Sequence, residues 1–311
     1  MTDRIEYDEF GLFYQNAAEY GLPFDAPPVV RREFVEVAPG RGLSALVWKD
    51  AEPELVFVHG GSQNAHTWDT VAMALDRPLV AIDLPGHGHS DGPGDLREGQ
   101  LSAHGNAVDV AVALRRLAPA AEAVVGMSLG GVTTIALSAE APELVRKVVL
   151  VDILPGIKSE RAKHIGDFVN GPPSFTSLDE LLERTARFNP TRSRSSLLRG
   201  ILHNAEQQPD GTWVWRWARH RPPASDSDSP PSEAPATRHE ELWDVVSQLT
   251  VPLLLVRGMR PDSVLGDEDE EELRRRLPSA QIAHVETAGH SVQGDAPLEL
   301  AALIEQFVFG T

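Results

Sequence analysis

The chain has 311 residues, 41% of them hydrophobic, and contains no cysteine. This length suits one large α/β domain with an inserted subdomain, and the lack of cysteine excludes disulfides, thiolate nucleophiles and cysteine-ligated zinc. A net charge of −18 argues against nucleic acid as a partner, because it would repel phosphate backbones. The polar N-terminus shows no signal peptide and no apolar run could span a bilayer, so we expect a cytoplasmic protein without a membrane span.

Apolar runs alternate with helical patterns along most of the chain. After a leader (residues 1–30) with a short amphipathic helix, β-like runs at 31–37 and 43–48 predict a hairpin. Six continuously apolar runs predict strands buried on both faces: 54–58, 79–82, 123–125, 147–151, 252–256 and 281–285. Helical patterns accompany them at 101–117, 129–140, 267–277 and 296–309. The alternation predicts an α/β fold with a mostly parallel sheet flanked by helices.

The interval between the strands at 147–151 and 252–256 departs from this alternation of strands and helices. It is too long for a structureless loop in a compact domain. Three helical patterns lie within it, at 157–169, 178–188 and 193–207. We therefore predict an inserted helical cap over 153–240, with a core domain formed by 1–152 and 241–311.

Three further segments have more modest interpretations. Residues 222–237 are rich in Pro, Ser and Asp and predict a flexible loop within the cap. The alternating Trp213, Trp215 and Trp217 are compatible either with a pocket wall or with the cap core. The helix at 267–277 begins with acidic residues and ends with arginines, which complements the helix dipole, so we interpret it as a surface helix and not as a metal site.

The hexapeptide Gly126-Met127-Ser128-Leu129-Gly130-Gly131 has the strongest functional signal. It matches G-x-S-x-G directly after an apolar strand and directly before an apolar helix. A sharp strand-to-helix turn exposes the serine hydroxyl above the sheet, and its flanking positions need glycine because neighbouring backbone crowds the turn. The pattern predicts Ser128 as a nucleophile. The alternative is a serine that only caps the helix at 129–140.

A second glycine-rich segment, His59-Gly60-Gly61-Ser62, follows the strand at 54–58. Glycines let backbone approach a ligand closely, and this position is where a second oxyanion donor is expected beside a nucleophile turn. We assign the oxyanion hole to the N–H groups of Gly61 and Leu129. His59 precedes the serine in the chain, so we interpret it as a structural hydrogen-bonding residue.

The general base is predicted from chain order. Enzymes with this nucleophile turn place serine, acid and histidine in that order. His290, the last of 11 histidines, lies between the last strand pattern and the final helix, and it is the predicted base. His284 lies inside a strand pattern, where we expect it to be packed.

Two carboxylates are candidates for the acid that orients His290. Asp262 follows the strand at 252–256 and is preferred, because the strand after the insertion is the usual source of this acid. Asp152 follows the strand at 147–151 and is the alternative acid. Otherwise it would be a turn or capping residue at the entrance of the cap.

Several ordered segments resemble the α/β-hydrolase fold family, within its cap-bearing bacterial serine carboxylesterases. They are 59–68, 83–90 (Asp-Leu-Pro-Gly-His-Gly-His-Ser), 126–131, 151–153 and 289–293. The resemblance covers about 30–310 and implies an eight-stranded sheet, a cap after the sixth strand, no cofactor and a small-molecule ester substrate with a short to medium acyl group. Related epoxide hydrolases and dehalogenases have Asp in place of Ser128, which argues against both reactions. Close esterase relatives often lack an acid at the position of Asp262, which leaves a noncatalytic Asp262 open.

The expected reaction is acyl transfer to water through an acyl-enzyme on Ser128, without a metal. Two alternatives retain the same residues. One is a hydrolase that cleaves C–C bonds of dienoate ring-cleavage products, and the other is a noncatalytic ligand receptor built on the same fold.

Overall fold

The computed structural model describes residues 5–92, 102–220 and 239–310. Within them lie eleven strands: β1 (Val30–Ala38), β2 (Arg41–Trp48), β3 (Leu55–Val58), β4 (Leu79–Ile82), β5 (Ala123–Met127), β6 (Val148–Val151), β7 (Ser174–Phe175), β8 (Ala205–Gln207), β9 (Trp213–Trp215), β10 (Leu253–Gly258) and β11 (Gln281–Val285).

The same parts of the chain contain eleven α-helices: α1 (Phe13–Tyr20), α2 (Asp69–Leu75), α3 (Ala103–Leu117), α4 (Leu129–Glu140), α5 (Ser159–Val169), α6 (Leu178–Phe188), α7 (Arg194–Asn204), α8 (Leu242–Ser247), α9 (Asp267–Arg276), α10 (Val292–Asp295) and α11 (Pro297–Phe309). Short 3₁₀ helices lie at Ala65–Trp68, Pro142–Leu144 and Arg216–His220. Within these ranges no helix combines the length and apolar character needed to cross a bilayer.

Eight strands form the central sheet in the order β1-β2-β4-β3-β5-β6-β10-β11. The predicted hairpin is the antiparallel pair β1–β2, and β2 also pairs antiparallel with β4, whereas all other neighbours are parallel. Strands β3, β4, β5, β6 and β10 are buried throughout. This burial explains their continuously apolar sequences, because both faces of the sheet are covered by helices.

Two apolar layers hold the helices against the sheet. One layer packs the sheet against α3, α4 and α8, and the other packs it against α1, α2 and α11. The carboxyl ends of β5, β6 and β10 are neighbours at one edge of this sandwich. Parallel strands bring the loops that follow them to that same edge, which is where ligands bind in sheets of this kind.

The interval between β6 and β10 holds α5, α6, α7 and a small antiparallel sheet in the order β7-β9-β8. Its three helices begin and end within a few residues of the predicted patterns, but the small sheet was not predicted. Strands of two or three residues are too short to produce a recognisable periodicity. This interval, for which we keep the name cap, has its own apolar cluster, in which Trp213, Trp215 and Trp217 are all buried. The predicted flexible loop at 222–237 lies outside the described residues.

Candidate active site

The turn between β5 and α4 holds Ser128 in a strained backbone conformation, with φ 51° and ψ −118°. A side chain at positive φ is costly and persists only where the surrounding structure enforces it. Close backbone contacts enforce it here. A Cβ atom at Gly126 would lie 2.4 Å from the carbonyl oxygen of Gly130, and one at Gly130 would lie 2.1 Å from that of Val58. The sequence at this turn therefore specifies a geometry that presents the serine hydroxyl.

His290, in the loop before α10, is hydrogen bonded to Asp152, which directly follows β6. The two residues meet through Nδ1 of the imidazole and Oδ2 of the carboxylate, 2.9 Å apart. Asp152 is completely buried, and its backbone lies in the left-handed region at φ 48°. The pair leaves Nε2 of His290 as the nitrogen available to a reacting group.

The last residue of β10 and the loop that follows it supply the other hydrogen bonds of Asp152. Oδ1 accepts from the Gly258 N–H at 2.9 Å and from the Ser263 hydroxyl at 2.7 Å, and Oδ2 accepts from the Val264 N–H at 3.1 Å. These three donors, together with His290, satisfy a carboxylate that would otherwise be costly to bury. Asp152 is therefore fixed in position as well as buried.

The structure does not place Asp262, the acid preferred from the sequence, in contact with His290, whose Nδ1 bonds Asp152 instead. The side chain of Asp262 is 45% exposed and lies 3.4 Å from Arg260, and its carboxylate packs against the backbone of Gly289. It borders the same cavity as Ser128 but makes no hydrogen bond to His290. The turn that follows β10 directs its backbone N–H groups and Ser263 inward and carries Asp262 to the rim.

Two buried histidines shape the loop that contains Gly61. His59 accepts from the Leu84 N–H through Nε2 and bonds the Gly60 carbonyl through Nδ1, while His87 accepts from the Ser62 N–H at 3.1 Å. Burial lowers the pKa of His59, which favours the neutral imidazole that these bonds require. Its contacts agree with the structural role expected from the sequence.

The two predicted oxyanion donors face the cavity that contains Ser128. Among the described residues the N–H of Gly61 donates to no protein acceptor. Leu129 is the first residue of α4, so its N–H has no partner within the helix. Both residues line the cavity beside Ser128 and His290.

This cavity, which we call the nucleophile cavity, has a volume of about 220 Å³. The core contributes Ser128, His290 and the glycine loop at its floor. The cap contributes an apolar wall from α5 and α6: Ile165, Phe168, Val169 and Phe188. A site that combines convergent polar groups with an apolar wall is typical of a small-molecule binding site.

Other residues considered from the sequence lie elsewhere. His284 is not packed inside the sheet: its side chain is 40% exposed and bonds Glu270 at 2.7 Å. Strand β11 is at the edge of the sheet, which explains this exposure. Trp68, the last residue of the segment 59–68 that carries the family resemblance, is fully buried against Phe57 in the core. Trp215 is buried in the cap cluster and also lines a second cavity, so it belongs both to the cap core and to a pocket wall.

A buried polar cluster outside the nucleophile cavity joins the leader, the core and the cap. It was not found from the sequence, since its members are far apart in the chain. We call it the leader latch: Tyr7, Glu9, His66, Asp69 and His203. His66 bonds Asp69 at 2.9 Å through one ring nitrogen and Glu9 at 3.0 Å through the other, and the Tyr7 hydroxyl bonds Nδ1 of His203 at 2.6 Å.

Three members of the leader latch are close enough to be considered as metal ligands: ligand atoms of His66, Asp69 and His203 lie within 4.8 Å of one another. The rings of the two histidines are stacked 3.8 Å apart and only 10° from parallel. An imidazole binds a metal along its own ring plane, so two stacked rings cannot both point at one ion. Both nitrogens of His66 also face carboxylates. The geometry favours a hydrogen-bonded cluster over a metal centre.

The leader latch predicts a stability that depends on pH. Burial alone would lower the pKa of His66, but Asp69 and Glu9 outweigh burial and raise it from 6.5 to about 9. Because the pKa is higher in the folded state, the contribution of His66 is complete below pH 6.5 and is lost as the pH rises through 9. We expect the difference in unfolding free energy between the wild type and His66→Gln to shrink by up to about 3 kcal/mol between pH 6 and pH 10.

Denaturant unfolding at several pH values measures this difference. His104→Gln is the matched control, because the side chain of His104 is 74% exposed. A constant difference for His66→Gln across the range, or an equal change for His104→Gln, would rule out a charged His66 in the latch.

The sequence profile of the alpha/beta hydrolase family matches residues 55–303, and the chain belongs to this family. It is 40% identical over 304 residues to the Esterase Rv0045c of Mycobacterium tuberculosis, a match that covers 96% of this chain and 94% of that protein. A solved structure of the M. tuberculosis esterase has a TM-score of 0.82 at 38% identity, covering 99% of this chain and 100% of that one.

A more distant relative is the 2-(acetamidomethylene)succinate hydrolase of Mesorhizobium japonicum. It is 27% identical over 262 residues, covering 84% of this chain and 89% of that protein. These likenesses confirm the predicted α/β-hydrolase fold and, at the level of enzyme class, the prediction of a carboxylesterase-type hydrolase.

Proposed function

We propose that this protein is a serine carboxylesterase in which Ser128, His290 and Asp152 form the catalytic triad. The observation that carries the proposal is the bond between His290 and the buried Asp152, with the strained Ser128 bordering the same cavity as His290. A carboxylate on Nδ1 holds the imidazole in the tautomer that can accept a proton at Nε2. A serine is a weak nucleophile unless such a base is beside it.

The arrangement supports hydrolysis in two steps. Oγ of Ser128 attacks the ester carbonyl carbon while Nε2 of His290 takes its proton, and the N–H groups of Gly61 and Leu129 stabilise the negative oxygen. The C–O bond then breaks, and His290 returns the proton to the departing alcohol. In the second step His290 takes a proton from water, whose oxygen attacks the acyl-enzyme, and the acid leaves as Ser128 regains its proton.

The size of the nucleophile cavity supports a small acyl group. Its volume of about 220 Å³ is below the 300 to 1,000 Å³ of sites that bind drug-sized ligands. The apolar side chains of α5 and α6 would contact the acyl chain, and the polar floor would contact the reacting carboxyl. We therefore propose short to medium acyl esters as the substrate class.

A fluorophosphonate probe combined with a p-nitrophenyl ester series tests the proposal. We expect the probe to modify Ser128, as located by peptide mass spectrometry, and kcat/KM to be highest for short to medium acyl chains. Labelling without ester hydrolysis would direct attention to C–C bond substrates and contradict the esterase assignment. An unlabelled Ser128 in folded protein would contradict catalysis altogether and favour a receptor.

A further inference from the structure

A second cavity adjoins the nucleophile cavity and differs from it in chemistry. It has a volume of about 190 Å³. Ser62, Gln63 and Ser291 border both cavities, and Ser291 is the neighbour of the predicted base. A ligand held at Ser128 can therefore extend past these residues into the second space.

The wall of this second cavity, which we call the polar cavity, is made mostly of hydrogen-bonding side chains. The leader contributes Asn16 and Tyr20, and the core contributes Asn64 and Thr67. The cap contributes charged and polar groups from the region of α7: Arg192, Ser196, Arg199, His203 and Asn204. Phe168, Leu197, Ile201 and Trp215 are the large apolar residues of the lining. The hydrogen-bonding side chains nevertheless outnumber the apolar ones, so this wall would bind a polar group.

Most charges at the polar cavity are already balanced. Arg199 pairs with Glu19, which also accepts from Ser193. His66 lies between Asp69 and Glu9. These groups are occupied by protein partners, so they leave little net charge for a ligand.

Arg192 is the exception. It forms no ion pair within the described ranges 5–92, 102–220 and 239–310. One terminal nitrogen donates to Ser196 at 2.8 Å, and the other packs against Gly294, where a Cβ atom would lie 2.1 Å away. Its Nε is buried and has no hydrogen-bond partner. Glu19, which forms its direct ion pair with Arg199, interacts with the charge of Arg192 only at longer range. An arginine that is partly buried without a direct ion pair is costly, and it is notable in a chain with 46 acidic and only 28 basic residues.

We infer that the polar cavity binds an anionic group, a carboxylate, on one limb of the ester, with Arg192 as the residue that recognises it. This inference rests on the proposed function, because it assumes that the ester carbonyl lies at Ser128. A guanidinium matches a carboxylate in charge and in planar geometry. The substrate would then combine an apolar limb in the nucleophile cavity with a polar, anionic limb in the polar cavity.

Matched pairs of esters that differ only in charge test the inference. One pair places the charge on the acyl limb: the p-nitrophenyl monoester of glutaric acid and its carboxamide analogue. The other places it on the alcohol limb: the butyrate esters of 4-hydroxybenzoate and 4-hydroxybenzamide. For each pair the measured quantity is the ratio of kcat/KM for carboxylate over carboxamide. Comparing wild type with variant cancels the intrinsic reactivity of the two esters.

We expect Arg192→Gln to lower this ratio about tenfold in at least one pair, mainly through KM, because a charge-assisted bond is lost. Arg192→Lys should retain part of the preference, since it keeps the charge and loses the planar geometry. Arg194→Gln is the matched control with an unchanged ratio, because Arg194 is exposed and pairs with Glu183 on the surface. Melting temperatures check that each variant is folded.

A ratio that stays within twofold of the wild type in both pairs would overturn the inference. An equal loss for carboxylate and carboxamide would assign Arg192 a structural role and would also overturn it. A second measurement uses the wild type alone: glutarate should compete with a neutral ester at least tenfold more strongly than glutaramide. If Ser128 reacts with fluorophosphonate and neutral esters are hydrolysed, a failure here concerns the polar cavity alone. If Ser128 does not react, the proposed function itself fails.

Discussion

Ser128→Ala should lower kcat for a p-nitrophenyl ester by about 10⁵- to 10⁶-fold, to the rate supported by binding and the oxyanion donors alone. The hydroxyl is the atom that would bond to the acyl group, and His290 has no other nucleophile to activate at this turn. Alanine keeps the Cβ atom, so the variant should fold. Initial rates of p-nitrophenol release, together with melting temperature, measure both effects.

Ser138→Ala is the matched control for this variant. Ser138 lies in the same helix, α4, and bonds the carbonyl oxygen of Ile135 on the side of the helix away from the turn. Its removal should leave kcat within about twofold of the wild type. Ester hydrolysis by Ser128→Ala at more than a tenth of the wild-type rate would refute the role of Ser128 as nucleophile.

Asp152→Asn should lower kcat about 10⁴-fold, whereas Asp262→Asn should change it less than about threefold. An asparagine at 152 removes the charge that stabilises the imidazolium form of His290. Both carboxylate oxygens are acceptors in the wild type: Oδ1 accepts from Gly258 and Ser263, and Oδ2 accepts from Val264. Whichever way the asparagine amide is turned, its NH₂ group would therefore face another donor. Asp262 is exposed at the rim, where its substitution leaves the His290 bond intact.

The two asparagine variants control for each other, because each replaces the carboxylate of one candidate acid with an amide of the same shape. Steady-state kinetics with one ester, from pH 5 to pH 10, decide between the two acids. A large loss in Asp262→Asn with near wild-type activity in Asp152→Asn would reverse the assignment. Comparable losses of kcat in both variants would contradict an assignment in which only Asp152 supports His290.

The strand pattern and the nucleophile turn were predictable from sequence because their causes are local. Strands buried on both faces are continuously apolar, and a turn in which Gly126 and Gly130 approach other backbone atoms must have glycine there. Chain order then selected His290 from 11 histidines. Each of these inferences needs only neighbouring residues or the order of elements.

The choice between two acids depended on distances that the sequence does not contain. Asp152 and Asp262 both follow parallel strands whose carboxyl ends are neighbours. Asp152 is the carboxylate that turns inward, because it accepts from the N–H groups of Gly258 at the end of β10 and of Val264 in the loop that follows. The leader latch was unpredictable for a related reason, since Tyr7 and His203 meet only because the cap folds back over the core.

The contacts between the leader and the cap also have a consequence for any opening of the cap. The leader contacts the cap through Tyr7 and His203, through Glu19 and Arg199, and through the Ile5 N–H and Gln207. A cap that opened as a separate body would have to break these three polar contacts at once, two of which are partly buried. Leader and cap should therefore exchange their amide protons as one cooperative unit. Access of substrate to Ser128 would then be set in part by residues 5–20, which are far in sequence from the proposed base, His290.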